Sequence, residues 1–354
     1  MAEESPGKLY PVEALREFTR QAFVRAGVPD EDARIVTDNL IESNLRGVDT
    51  HGITRLLPIY IKRLRAGVIN PRPDIRIVSE SPSAFLVDGD NGLGAVVATW
   101  ANREVIERAG RQGGAWAGVR QSNHFGACAY FAMQAARQDM VGIAMTNGPA
   151  AMAPWGGRRP YFGTNPICFA APSAESEPVV VDLATSLVAR GHILLADMRG
   201  DTTIPEGWAL DVNGQPTTDT KAAIAGTVMP MAAHKGYALA FMIDVLSGIL
   251  TAAAFGPHLG SLYTEFERPQ DVGHLLGAID IGRLIPVADF KQRLAQLCRE
   301  VREAERADWA DRIYVPGEIE SEKRRARGAE GIPIAEGIRQ EFIGVARELG
   351  IPFD

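Results

Sequence analysis

The sequence predicts an α/β protein, and three observations predict it. Apolar residues at helical spacing fill the chain up to Ala66, the pattern changes at Ile75 to short β-type runs with Pro and Gly between them, and strand-like and helix-like stretches then alternate. A chain of 354 residues can bury a large core and is expected to divide into two subdomains.

Pro11 to Ala26 places Val12, Leu15, Phe18, Ala22 and Phe23 at helical spacing and stops at Gly27. A second helix after Pro29-Asp30 buries Ala33, Val36, Leu40 and Ile41 and ends at Gly47. Both deliver the chain to Arg46-Gly47-Val48-Asp49-Thr50-His51-Gly52-Ile53-Thr54-Arg55, where Asp49 or Thr50 can cap a helix starting at Gly52. With that start, His51 and Arg55 lie roughly one turn apart and project to the same side. The imidazole can move a proton, and the planar guanidinium can grip a carboxylate. An isolated His near an Arg is more often a solvated surface pair, so the rest of the chain has to decide. Pro58 suits the first turn of a further helix, Ile59 to Ala66.

Ile75 to Val78 and Ala84 to Val87 read as strands, and Asp88-Gly89-Asp90-Asn91-Gly92-Leu93-Gly94 leads into a helix from Ala95 to Arg111. These glycines are spaced G-x-x-G-x-G, not G-x-G-x-x-G. The acidic residue about 20 positions on is also missing, so a turn is the better account than a Rossmann site. Ala115 to Val119 reads as a strand running into Ser122-Asn123-His124-Phe125-Gly126, with a helix beyond it. That puts His124 on a strand-to-helix turn, where catalytic groups often sit, although such a His is commonly just a hydrogen-bonded structural residue.

Val141 to Met145 reads as a buried strand, and the Gly/Pro-rich passage from Asn147 to Pro166 as an ordered functional loop. Ile167 to Ala171 and Val179 to Val181 follow as strands. Asp182-Leu183-Ala184-Thr185-Ser186 then precedes a helix from Leu187 to Arg199. An acid and small hydroxyl residues there suit ribose or phosphate contacts at a helix N-terminus, and they equally suit a plain cap of that helix. Pro205 to Thr220 is a polar excursion turning at Asn213-Gly214. Ala233-His234-Lys235-Gly236-Tyr237 opens a long apolar helix reaching Phe255, read as buried, in which a first-turn Lys opposes the dipole and so suggests an anion or a substrate oxygen nearby. Leu275 to Ile281 is a last strand candidate. A helix from Val287 to Ala307 follows, with Phe290, Leu294, Leu297 and Val301 on one side, and the basic run Lys323 to Arg327 reads as a solvated helical face.

Composition removes several classes of function. Hydrophobic residues at 46% and charged residues at 23% are ordinary for a globular protein, and a net charge of −7 leaves no basic stripe for nucleic acid. No uninterrupted apolar run is long enough for a membrane helix, and Met-Ala-Glu-Glu-Ser-Pro is no secretion signal. Cys128, Cys168 and Cys298 are too few and scattered for a disulfide framework or zinc site, which points to the cytoplasm. The six histidines form no metal-ligand spacing, so no metal is expected, and neither a G-x-S-x-G elbow nor a Walker loop is present.

Spacing alone does not assemble His51, Arg55, His124, Asp182 and Lys235. Six short motifs in order do so by resemblance: Arg46 to Gly52, Asn123-His124-Phe125-Gly126, Tyr161 to Phe169, Val180 to Ser186, Lys235-Gly236-Tyr237 and Pro316-Gly317-Glu318. From about Leu9 to Ile334 the chain resembles the type-2 malate/L-lactate dehydrogenase family, which includes ureidoglycolate, sulfolactate and diketogulonate dehydrogenases and piperideine-carboxylate reductases. The resemblance implies a non-Rossmann α/β fold: a mixed, largely antiparallel sheet flanked by helices, with helical segments at both ends. It implies a substrate and dimerisation subdomain from residues 1–125 and 282–354, an NAD(P)-binding subdomain from 126–281, and a homodimer. By position, His51 or His124 would carry the proton, Thr50 would bond the reacting oxygen, Arg55 would hold the substrate carboxylate and Lys235 would add positive field. His124, Gly148, Asp182, Leu183, Ala184, Lys235 and Gly236 would contact the cofactor, and Pro316, Gly317 and Glu318 would close over it.

The activity so implied is hydride transfer between a nicotinamide, NAD or NADP, and a small 2-hydroxy acid and its 2-oxo acid, malate-, lactate- or ureidoglycolate-like. The rivals are a cyclic imine carboxylate reductase of piperideine-2-carboxylate type and a catalytically silent metabolite or cofactor sensor. Several positions depart from the family pattern: Thr50 stands where Ser is usual, Gly148 where Ser is common, His192 where Lys is frequent, His234 for a smaller or non-titrating residue, and Ala238 for Gly.

Overall fold

The computed structural model describes residues 7–175, 177–198 and 200–353. Residues 1–6, on which the expectation of no secretion signal rests, and Arg199, the expected end of a helix, lie outside them.

Strand β1 (Lys8–Tyr10) is followed by α1 (Val12–Arg25), α2 (Asp30–Leu45) and α3 (Ile53–Arg65). The apolar positions picked out by helical spacing are the buried ones: Leu15, Phe23, Ala33, Val36, Leu40 and Ile41 are wholly enclosed. In α3 the expectation of two helices fails. Pro58 lies inside one continuous helix, which tolerates the missing N–H because its apolar face, Leu56, Leu57 and Ile61, is fully buried.

Then come β2 (Arg76–Glu80), β3 (Ala84–Asp88), α4 (Gly94–Gln112), β4 (Gly114–Ser122), α5 (Cys128–Ala136), β5 (Met140–Thr146), β6 (Ile167–Ala171) and β7 (Val179–Leu183). Next are α6 (Arg190–Met198), β8 (Ala209–Leu210), β9 (Pro216–Thr217), α7 (Thr220–Ala225), β10 (Thr227–Val228) and α8 (His234–Asp244), which runs on into a π-helical turn over Val245–Ile249. The chain closes with β11 (Val272–Asp280), α9 (Val287–Glu303), α10 (Glu318–Glu330), β12 (Ile332–Ile334) and α11 (Glu336–Leu349).

Seven strands form the main sheet in the order β2-β3-β4-β11-β5-β6-β7. Here β3 and β4 run parallel, joined over α4, and the other neighbours are antiparallel. The sheet is thus the mixed, largely antiparallel one that the resemblance implies. Its central strand β11 is enclosed from Val272 to Ala278, as a strand covered on both faces must be. On one face Val97, Ala101 and Val105 of α4 and Phe131 of α5 pack with Ala117, Val119 and Leu276. On the other, Ile243 of α8 meets Ile143, Met145 and Leu275. The glycine-rich turn before α4 is a turn, with Asp90 and Asn91 at positive φ. A separate helical layer joins α1, α2, α3 and α11 through Leu15, Leu40, Leu56 and Phe342.

Two further expectations are corrected. The helix opening at His234 is not buried all round: Phe241 and Met242 are 46% and 48% exposed, and Ile249 and Leu250 beyond it 56% and 63%. In α9 the enclosed residues are Ala295 and Cys298, whereas Leu297 and Val301 face outward. An apolar stripe records a face but not whether another part of the chain reaches it. Among the described residues no helix is long and apolar enough to cross a membrane.

Candidate active site

Residues Asp49–His51 form a single 3-10 turn after α2, and Gly52 follows with extended backbone before α3 begins at Ile53. Neither Asp49 nor Thr50 caps α3. The first free donor, Ile53 N–H, goes to Asn44 Oδ1 at 2.8 Å, at the end of α2. Gly52 is required there, because a Cβ would stand 2.0 Å from that same oxygen. Asp49 is free for another partner, and Arg327 of α10 supplies it through two parallel bonds of 2.8 and 3.0 Å. His51 therefore sits on the turn ahead of α3, and helical spacing does not set its relation to Arg55. The Arg55 guanidinium lies 4.9 Å from the centre of the Tyr263 ring.

His124 lies where expected, between β4 and α5. Its Nδ1 is 2.7 Å from the Tyr60 hydroxyl, which also lies 3.2 Å from the His124 carbonyl oxygen, and its N–H donates to Gln270 Oε1 at 3.1 Å. Its ring stacks on His51, with centroids 5.6 Å apart and planes 22° from parallel. Each residue is partly open to the surface, yet the protein atoms around its ring make desolvation the leading influence. Burial pushes His51 down to about 4, with His192 adding repulsion. Burial likewise pushes His124 down to about 3, with His51 and His274 adding to it. Both rings are therefore neutral near neutral pH and able to accept a proton.

Thr50 Oγ1 is 3.0 Å from His51 Nδ1. Opposite it is the start of α6, where a Cβ on Gly191 would come within 3.4 Å of Thr50 Cγ2. This brings His192 to the site, and sequence reasoning gave it no role. Tyr60, Tyr263 and Gln270 were missed as well. Tyr60 lies inside an amphipathic pattern that looks like ordinary core, and the other two come from a segment without a motif.

Of the remaining singled-out residues, Asp182 and Leu183 belong to the edge strand β7, Pro316 and Gly317 lie against its Val180, Gly236 lies beside Thr185 just after it, and Gly148 lies beside Asn165 ahead of β6. Asp182 Oδ2 accepts from Ala129 N–H at 2.9 Å, so it caps α5 and not α6, which starts only at Arg190. Thr185 Oγ1 donates to the Thr164 carbonyl at 2.8 Å and does not cap α6 either. Residue Asp182 as a whole is exposed, yet the protein atoms crowded around its carboxyl desolvate it and push it up to about 6, against the pull of the Ala129 bond and Arg46. Leu183 is exposed and Ala184 half-buried. Gly236, in the first turn of α8, packs so near the Thr185 carbonyl that a Cβ would stand 2.6 Å from it, and its neighbour Lys235 is exposed. Gly148 donates to Asn165 Oδ1 at 3.1 Å. At the other end of β7, Val180 N–H donates to the Pro316 carbonyl at 3.2 Å. Gly317 has φ 86° and lies against Val180, and Glu318 pairs with Arg302 and Arg312. Among the described residues no group of three His, Cys, Asp or Glu side chains could hold a metal ion.

A profile of the malate/L-lactate dehydrogenase family matches residues 10–342. The chain belongs to that family. The L-sulfolactate dehydrogenase of Methanothermobacter thermautotrophicus is 38% identical over 347 residues, 97% of this chain and 98% of that one. The NAD(+) ureidoglycolate dehydrogenase of Escherichia coli K12 is 35% identical over 334 residues, 94% of this chain and 95% of its own. The structure of malate dehydrogenase from Pyrococcus horikoshii matches at 33% identity with a TM-score of 0.90 and covers 99% of both chains. As a malate/L-lactate dehydrogenase family member the protein is an enzyme, and its missing glycine fingerprint agrees with the mixed sheet.

Proposed function

We propose that the protein is an NAD(P)-dependent dehydrogenase interconverting a small 2-hydroxy acid and its 2-oxo acid. The observation that carries this reading is the stacked pair of neutral imidazoles, His51 and His124. When bound, the nicotinamide supplies the hydride acceptor or donor at the substrate's C2.

This chain's own residues supply the rest. With Nδ1–H of His51 given to Thr50 Oγ1, Nε2 is left as the base that takes the hydroxyl proton. In the reverse direction the imidazolium returns that proton to the new alkoxide. Arg55, stacked on Tyr263, grips the carboxylate and fixes the direction of the C–H bond. His124, tied to Tyr60, is the second imidazole beside the reacting oxygen.

Gly148, Asp182 to Ala184, Lys235-Gly236 and Pro316 to Glu318 would hold the cofactor. The chemistry of the strip suits a dinucleotide. Lys235 has no ionic partner among the described residues, Leu183 offers exposed apolar surface, and the space beyond the Gly148 Cα is open within 4 Å. We assign NAD first, following the ureidoglycolate relative, with NADP as the alternative. The exposed Phe241, Met242, Ile249 and Leu250 form an apolar strip on and beyond α8 that suits the expected homodimer.

The test is the loss of NADH or NADPH absorbance with oxaloacetate, pyruvate, sulfopyruvate and other 2-oxo acids, and the reverse reaction with malate, lactate, sulfolactate and ureidoglycolate. Turnover of one such acid establishes the reading and names the substrate. Turnover of a cyclic imine carboxylate alone overturns it in favour of C–N reduction, and cofactor binding without any turnover overturns it in favour of a sensor.

A further inference from the structure

In the basic run Lys323 to Arg327, Lys323 and Arg325 face solvent as the composition suggests, but Arg324 and Arg327 turn inward to acidic partners. Arg324 Nε bonds Glu42 at 2.7 Å, and Arg327 holds Asp49 through both arms of its fork. Arg327 also donates to the Asn44 carbonyl. Asp49 takes a further bond from Asn44, and its own carbonyl accepts from Thr54 Oγ1 at 2.9 Å. The turn that carries Thr50 and His51 is thus framed on one side by the last turns of α10.

The other end of the same helix is held just as firmly. Pro316 accepts from Val180, Gly317 lies against Val180, and Glu318 binds Arg302, Arg312 and the Val315 N–H. Between Glu318 and Arg327 lies unbroken helix, about 13 Å at 1.5 Å per residue. A helix of that length moves as one body, so a displacement of Pro316–Glu318 reaches Asp49.

We propose that α10 is a strut that couples the cofactor strip to the turn bearing His51, with Arg327 as the positioning residue at the acid end. The proposal rests on the reading of Pro316–Glu318 as a cofactor contact. A bidentate pair fixes orientation as well as distance, which a lysine ammonium does not. The pair is mostly shielded, with Arg327 15% and Asp49 28% exposed, so little of it is lost to solvent screening.

The experiment is hydrogen exchange by mass spectrometry on the full chain, with and without saturating NADH, for the wild type, Arg327→Lys and Asp49→Asn. Direct binding of NADH and of NADPH is measured in parallel by calorimetry. In the wild type NADH slows exchange across residues 47–57 by about tenfold, and both variants lose that protection while keeping NADH affinity. A purely structural clamp would instead raise exchange there equally with and without NADH. Protection retained in Arg327→Lys and Asp49→Asn, or NADH bound by the wild type without protection, overturns the strut and leaves the cofactor reading standing. Binding of neither NADH nor NADPH by the wild type overturns both.

Discussion

His51 and His124, from separate parts of the chain, stack with ring centroids 5.6 Å apart, and each is tied at Nδ1 to a hydroxyl, Thr50 and Tyr60 respectively. In the proposed reaction two neutral imidazoles so placed would offer two bases to one substrate oxygen, and substitution separates them. His51→Ala is expected to lower kcat by about 10²–10⁴-fold while leaving the Kd for NADH unchanged. His124→Ala should cost less turnover. Steady-state kinetics beside calorimetry check this, and unaltered turnover in His51→Ala transfers the role to His124.

Arg55 has an aromatic platform and no carboxylate partner among the hydrogen bonds and ion pairs of the described residues, which leaves its fork for the substrate. Arg55→Ala removes a charged hydrogen-bonding pair, which corresponds to about a 10–100-fold rise in KM for the acid. Arg55→Lys is expected to recover only part of it, because the ammonium lacks the planar fork. An unaltered KM would remove the clamp assignment.

At Gly148 a Cβ would meet nothing within 4 Å. Gly148→Ser is therefore expected to leave the melting temperature unchanged and to lower the Kd for the nicotinamide cofactor a few-fold, restoring a hydroxyl contact. Thermal melts and a binding isotherm decide it, and weaker cofactor binding would show that the added side chain obstructs the strip.

His274 lies wholly buried in β11, bonded to Thr146 and Ser122 at 2.8 Å and stacked on Phe125, and burial holds it down to about 3. An unfolded histidine titrates near 6.5, so between these values the unfolded chain binds the proton and the folded chain does not. The stability is complete above about pH 6.5 and is lost as the pH falls toward 3. For His274 alone the slope is about 1.4 kcal/mol per pH unit, or about 2 kcal/mol between about pH 7.5 and 5. His51 and His124 act in the same direction, to a smaller degree because they are part-exposed. Asp182, raised to about 6 but solvent-exposed, acts oppositely and more weakly: its contribution is present at low pH and is lost as the pH rises through about 6. Urea unfolding at the two pH values is expected to show the net loss at the lower one.

Local patterning told the sequence its elements. Leu15, Phe23, Val36 and Leu40 repeat at helical spacing because one face of each helix must meet the core, and that periodicity survives without knowledge of what it meets. The same holds for the strands of the main sheet, and for the six motifs that marked His51, His124, Asp182 and Lys235 as residues of interest.

What joins those residues is not local. The capping of α3 by Asn44 and not by Asp49, the pairing of Asp49 with Arg327, the stacking of His51 on His124 and the turn of Asp182 toward Ala129 each link separate elements. A sequence lists donors and acceptors without saying which are brought within 3 Å. The sequence by itself determined most helices and the main-sheet strands and singled out His51, His124, Asp182 and Lys235. Only the tertiary structure decided which groups face one another, because hydrogen bonds and burial depend on distances that chain folding alone sets.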